Sequence, residues 1–280
     1  MAFGVPKTEF QVLSDDGLTL WYQEWTPEAK PLAAIALVHG MGEHAGRYQH
    51  LAEALNREGY ALLTFDLRGH GRSEGQRGHT PSYDALMKDI GLLLKHTQER
   101  FPGQSLFLYG HSLGGNLVLN YALRFSAPLK GVIATSPWLK LAFEPAAVKL
   151  TMAGLMNQIW PSFSQTNELD AQALTHDKAI ARAYETDPLV HTLISARLFQ
   201  NVHAAGLWAL EHGDRFPLPL LLMHGSADRV TSFEASRAFA SRLPEQCTFK
   251  AWDGLYHELH NEPEWPKVVE AITVWLKNCL

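Results

Sequence analysis

The sequence predicts an α/β fold: a mostly parallel, twisted sheet covered by helices on both faces and interrupted by one helical insertion. Three observations carry this expectation. Residues 33–38 are a continuous apolar run without polar alternation, and 61–65 read as another such strand buried on both faces. Helical patterns alternate with such runs, as crossover connections between parallel strands require. The apolar run at 106–109 leads straight into Gly110-His111-Ser112-Leu113-Gly114-Gly115. A helical pattern follows at once (Asn116, Leu117, Leu119, Asn120, Tyr121, Leu123), giving a strand, a tight turn and a helix.

Taken in order, residues 10–13 and 18–25 read as two strands around Asp15-Asp16-Gly17, a hairpin signal. The buried strand at 33–38 ends in His39-Gly40-Met41-Gly42-Glu43-His44. A helix marked by Leu51, Ala54 and Leu55 stops at Gly59, and the strand at 61–65 follows. Next come a polar, glycine-rich loop over 66–75 and a helix over about 81–99, with Tyr83, Leu86, Met87 and Ile90 on one face. After the Ser112 turn and its helix, a further strand spans 131–135. The alternation then breaks, and from Trp138 to about Ser195 no buried strand is evident. Val148, Met152, Leu155, Met156 and Ile159 fall at helical spacing there, followed by Trp160-Pro161 and Phe163. Much of this stripe is expected to pack on the main body. Its Met and aromatic content also suits a lid over an apolar pocket. Alternation resumes with a helix near 196–210, a strand at 218–224, a helix near 233–242, a strand near 248–252 and a final helix over about 263–277. Residues 1–137 and 196–280 are therefore expected to form one core, with 138–195 as a helical cap inserted in it.

A chain of 280 residues with 46% hydrophobic and 19% charged residues can bury a large core and is not disordered. A net charge of −5 gives no reason to expect a nucleic-acid partner. Cys247 and Cys279 make no disulfide framework, and no Cys/His cluster has zinc spacing, so neither a metal nor a cofactor is expected. Residues 1–7 lack a basic region followed by an apolar stretch, so no signal peptide is expected. The longest apolar runs fall far short of a spanning helix. A cytoplasmic protein is the expectation, with peripheral contact to a membrane or micelle through the cap.

The chemistry starts at Ser112. Gly110 and Gly114 allow a turn too tight for a Cβ, leaving the serine exposed above the sheet with the Leu113 N–H at a helix N-terminus. A serine hydroxyl needs a base, and the base needs an orienting carboxylate. In turns of this kind the acid and then the histidine follow the serine. Asp228 comes directly after a buried strand, and His257 lies one helix and one strand further on, so these two complete the triad. Asp253 is too close to His257 to reach back, Asp187 falls in the insertion, and Asp66 is expected to hold Arg68 or the glycine turns. The second N–H for a developing oxyanion is assigned to Met41. His39, His70 and His111 are expected to brace loops.

The blocks His39–Tyr48, Asp66–Gly75, Gly110–Gly115, Gly225–Asp228 and Tyr256–His260 resemble the monoacylglycerol lipase group of the α/β-hydrolases, which are serine aminopeptidase S33-like hydrolases and include lysophospholipases. The resemblance implies the α/β-hydrolase fold and a small lipid ester as substrate. The activity it implies is release of fatty acid and glycerol from monoacylglycerol through an acyl-enzyme. It also implies that Glu43, Arg47, Tyr184 and His260 hold the glycerol end. Glu43 and Arg47 read equally well as a salt-bridged loop, and the insertion carries the weakest match. Alternatives within the same chemistry are lysophospholipase, general carboxylesterase and proline iminopeptidase. The last needs clustered acidic residues in the insertion, where Glu144, Glu168, Asp170, Asp177 and Glu185 are scattered. A non-catalytic receptor would ordinarily have lost a triad member, and a carboxylate-nucleophile enzyme would not carry serine at the turn.

Overall fold

The computed structural model describes residues 7–167 and 169–280. Residues 1–6, on which the signal-peptide expectation rests, and Glu168 of the insertion lie outside the described residues. The chain opens with β1 (Lys7–Leu13) and β2 (Thr19–Trp25), then β3 (Ala33–Val38), α1 (Gln49–Arg57), β4 (Tyr60–Phe65) and α2 (Tyr83–Arg100). β5 (Ser105–His111), α3 (Leu113–Arg124) and β6 (Gly131–Thr135) follow. The insertion holds α4 (Ala147–Ile159), β7 (Ser164–Thr166), α5 (Lys178–Thr186) and β8 (Leu193–Ser195). The chain closes with α6 (Ala196–His212), β9 (Leu220–Gly225), α7 (Phe233–Ser241), β10 (Cys247–Trp252) and α8 (Trp265–Cys279).

One sheet runs in the order β1-β2-β4-β3-β5-β6-β9-β10. β1, β2 and β4 pair antiparallel, and every pairing from β4 to β10 is parallel. β3 shows why its sequence is apolar throughout. Ala34, Ala36 and Val38 join the core under α2, α3 and α6, while Ala33, Ile35 and Leu37 join the other core under α1 and α8. Alternate side chains of a strand point to opposite faces, so a strand covered on both sides has no solvent face to mark with polar residues.

The register brings the carboxyl ends of the strands level. Val38 pairs with both Phe65 and Gly110, His111 with Thr135, and Thr135 with Met223. The loops after β3, β5 and β9 therefore open on the same edge, where ligands bind in open α/β sheets.

The insertion differs from expectation in two ways. β7 and β8 form a separate antiparallel pair, Ser164 opposite Ser195 and Thr166 opposite Leu193. Three polar residues in β7 are too few to show a period. Most of the apolar stripe of α4 does not pack on the main body: Val148, Met152, Leu155 and Ile159 are 54–71% exposed along one side of the helix, and Met156 is partly buried. α4 lies along α6 through its other side. Among the described residues, no helix is long and apolar enough to cross a membrane.

Candidate active site

Ser112 sits between β5 and α3 with φ of 53°, one of two non-glycine residues with positive φ among those described. The strain is held by neighbours that leave no room to relax. A Cβ on Gly110 would lie 2.2 Å from the Gly114 carbonyl oxygen, and one on Gly114 would lie 2.0 Å from that of Val38. The turn thus needs both glycines, as the sequence implied.

Asp228 and His257 come to this point from the two loops expected. His257 Nε2 is 2.9 Å from Ser112 Oγ, and His257 Nδ1 is 2.7 Å from Asp228 Oδ2. All three are buried. A carboxylate has no proton to give, so Nδ1 carries the hydrogen, and Nε2 is left to accept from the serine hydroxyl. Burial alone would push the Asp228 carboxyl up. The charge of His257 and the bonds from His224 and His257 outweigh it and hold Asp228 well below the usual carboxylate range. Burial likewise opposes charge on His257, but Asp228 raises it above an ordinary histidine.

The loop after β3 passes beside the serine, so that a Cβ on Gly40 would lie 3.2 Å from Ser112 Cβ. Glu43 Oε1 accepts from the Gly40 N–H, and Gly42 O accepts from His191 N of the insertion. Asp66 accepts from Ala45 N and Arg72 N. It therefore holds this loop and its own glycine turn but not Arg68, whose partners are Asp89 and Asp16. The N–H groups of Met41 and Leu113 have no acceptor among the described residues. His39 accepts from Leu67 N through Nε2, so Nδ1 donates to Gly40 O, and burial holds its pKa down at about 3. It braces the loop as a neutral ring. His111 meets Thr135 and His70 the Arg68 carbonyl, both in structural roles.

A cavity of about 690 Å³ opens above Ser112 between core and insertion. Trp138, Met152, Met156, Phe163, Leu174 and Phe199 make much of it apolar. Glu43, Glu258 and Tyr184 also reach its wall.

The four residues assigned to a glycerol end divide. Glu43 and Tyr184 reach the cavity, and the Tyr184 hydroxyl is buried without a partner among the described residues. Arg47 and His260 are not among the residues lining it. Arg47 is spent on an internal ion cluster, bonding Glu43 Oε2 at 2.5 Å and Glu258 through both oxygens at 2.6 and 2.7 Å. His260 is enclosed behind Tyr48, stacked at 4.5 Å, and burial keeps it neutral with a pKa of about 3. It follows His257 by three residues, but the short helical turn at Leu259–Asn261 points it inward. Burial raises Glu43 despite Arg47, whereas the bidentate guanidinium overcomes burial at Glu258 and lowers it to about 2.

Three participants escaped the sequence reading. Glu258 sits beside His257 and could have been flagged as an acid paired with Arg47. His224 and Thr231 both approach Asp228 Oδ2, at 2.9 and 3.0 Å, and only the folded turn brings them there.

Comparison with known proteins identifies the family. The family described as serine aminopeptidase, S33, matches residues 29–264. An uncharacterised abhydrolase domain-containing protein of Dictyostelium discoideum is 37% identical over 95% of this chain, which spans only 28% of that protein. The monoacylglycerol lipase of Mycolicibacterium smegmatis is 30% identical over 96% of this chain and 97% of its own length. The crystal structure of the Paleococcus ferrophilus monoacylglycerol lipase superposes with a TM-score of 0.85 at 35% identity, covering 93% of this chain and 99% of that one. The chain belongs to the serine aminopeptidase S33 family of α/β-hydrolases, within its monoacylglycerol lipase group.

Proposed function

We propose that this protein is a serine hydrolase that cleaves monoacylglycerol to fatty acid and glycerol, with residues 138–195 as a cap over the acyl chain. One observation carries the reading: the unbroken hydrogen-bonded line Asp228–His257–Ser112 ends at the floor of a largely apolar cavity. His257 Nε2 takes the Ser112 proton as the oxygen attacks the ester carbonyl, and Asp228 stabilises the imidazolium. The free N–H groups of Met41 and Leu113 receive the oxyanion. His257 then protonates the departing glycerol oxygen, and water, activated by the same ring, releases the fatty acid.

The polar end supports an alcohol that can both donate and accept. Glu43 Oε1 is occupied by Gly40 N and Tyr48 Oη, but Oε2 has only Arg47, leaving an acceptor site. The Tyr184 hydroxyl has a proton to offer. A diol matches this pair. Among the described residues of the insertion, an aminoacyl substrate does not find clustered acids: Asp177 caps α5, and Asp170, which reaches the cavity wall, caps a short turn. The exposed apolar side of α4 suits docking on a lipid surface, from which such substrates must be drawn.

The test is turnover of a panel with the acyl chain held constant: monoacylglycerol, lysophospholipid, methyl ester and, separately, aminoacyl amides. Monoacylglycerol should lead, and Ser112→Ala should lower its turnover on the order of 10⁴–10⁶-fold while thermal unfolding is unchanged. Parent-like turnover by Ser112→Ala would refute the mechanism. A lead by lysophospholipid would move the headgroup assignment and keep the chemistry.

A further inference from the structure

Asp228 serves two imidazoles through one oxygen. Oδ2 lies 2.7 Å from His257 Nδ1 and 2.9 Å from His224 Nε2. The second ring continues outward, with His224 Nδ1 2.8 Å from Ser236 Oγ. The result is nearly symmetrical about the carboxylate: a hydroxyl, an imidazole, Asp228, an imidazole and a hydroxyl. The two halves differ in access. Ser112 opens to the cavity, whereas His224 and Ser236 have no exposed surface at all, so the outer pair cannot act on a substrate.

The outer pair therefore acts through Asp228. That carboxylate is buried and, among the described residues, pairs with no Lys or Arg, since the neighbouring Arg229 turns to Gln172 O and the Tyr256 ring, so hydrogen bonds must replace water if it is to stay ionised and fixed. Its other oxygen is pinned by Val230 N and Thr231 N, which set the turn. On Oδ2 the Thr231 hydroxyl is an unreliable donor, because its single proton is also within reach of the Ser136 carbonyl at 3.0 Å. At His224 Nε2 the Thr231 hydroxyl is more distant, at 3.4 Å against 2.9 Å for Oδ2, and a carboxylate can only accept, so it selects the tautomer with hydrogen on Nε2. With Nε2 donating, Nδ1 of the neutral ring accepts from the Ser236 hydroxyl, which fixes the tautomer.

We propose that His224, held by Ser236, is a positioning residue for the hydrolytic reaction: its Nε2–H donation keeps the Asp228 carboxylate in the orientation from which it aligns His257. This rests on the serine-hydrolase reading above. It carries a second consequence. Each donor on Oδ2 draws off part of the charge that His257 feels. Losing His224 should concentrate that charge on His257 and favour its protonated form, moving the acid limb of kcat/KM to higher pH. The other groups facing His257 are His111 at 4.8 Å between ring centres, Glu258 beside it, and Glu43, Arg47 and His260 around it. None is altered by a change at His224, so the difference between variant and parent isolates its effect.

The experiment compares the parent with His224→Leu, His224→Gln and Ser236→Ala, using a short soluble p-nitrophenyl ester, full pH profiles and thermal unfolding. Gln places an amide N–H near the position of Nε2. His224→Leu is expected to lose about 10–100-fold in kcat with KM little changed, the cost of one charge-assisted hydrogen bond, and to shift the acid limb upward. His224→Gln should recover most of both, and Ser236→Ala should fall between. A folded His224→Leu with parental kcat and an unmoved acid limb overturns the proposal. If Leu does not fold, the Gln and Ser236→Ala pair decides, and parental profiles in Ser236→Ala with a full loss in His224→Gln would overturn it. Parent activity abolished by Ser112→Ala is the control that separates failure of this inference from failure of the serine mechanism.

Discussion

Replacing Arg47 by methionine should unfold the site from within, and the cost can be worked from its contacts. Arg47 lies between two carboxylates that are both 2% exposed, and no other cation is recorded bonding either one among the described residues. After the change, Glu43 keeps Gly40 N and Tyr48 Oη, and Glu258 keeps Asn261 Nδ2, but two buried negative charges face each other. Removing one partner of a buried ion cluster costs about 3–5 kcal/mol, chiefly the penalty of uncompensated charge. At roughly 2 °C per kcal/mol for a domain this large, the melting temperature should fall by roughly 6–10 °C at pH 7.5. The pH dependence identifies the cause. In the parent, Glu258 is depressed to about 2, so its contribution is present above its unfolded value and lost as pH falls toward about 2. In Arg47→Met both carboxylates lose their cation and titrate higher, so acidification toward pH 5 neutralises them and the deficit against the parent narrows. Adding Glu43→Gln and Glu258→Gln should restore much of the loss while keeping the hydrogen bonds. Urea unfolding from pH 8 to 5 reads both quantities. A deficit under about 1 kcal/mol, or one that stays constant across that range, would refute the argument.

Two further predictions concern activity. His257 is raised above the ordinary histidine value of about 6.5 and must be neutral to accept the serine proton, so kcat/KM should fall on acidification with a midpoint above 6.5. A flat profile down to pH 6 would exclude His257 as the base. Leu155 and Ile159 are exposed on α4 and lie outside the cavity wall, so Leu155→Asp with Ile159→Asp should weaken turnover of vesicle-borne substrate and spare a short soluble ester. Equal losses on both substrates would remove the docking role of this face.

What could be read from the sequence follows physical lines. β3 and β4 were legible because strands covered on both faces are almost wholly apolar, and all six residues of each are buried, including Thr64, whose hydroxyl donates to Leu37 O. The elbow was legible because backbone crowding at Gly110 and Gly114 admits no other residue. The insertion was not. Its three-residue strands are too short to show a period, and the apolar stripe of α4 looked like a core-facing one although Val148, Leu155 and Ile159 face outward and Met152 and Met156 reach the cavity. Periodicity reports that a helix has an apolar side, and it is silent on whether protein or lipid covers that side.

The same distinction separates the parts of the site. Ser112, Asp228 and His257 occupy strand-end positions that topology alone brings together, so chain order was enough to choose them. The polar residues around them are selected by side-chain geometry. Arg47 reaches sideways to Glu258, while Glu43 and Tyr184 stand on the cavity wall. His260 turns behind Tyr48, and His224 reaches across a tight turn to Asp228. Such partners are set by which buried groups would otherwise go unpaired, and that demand exists only once the core has closed around them. A buried carboxylate without a cation is the clearest sign of where to look for them. Asp228 is such a carboxylate, and it holds two histidines where the proposed reaction needs one.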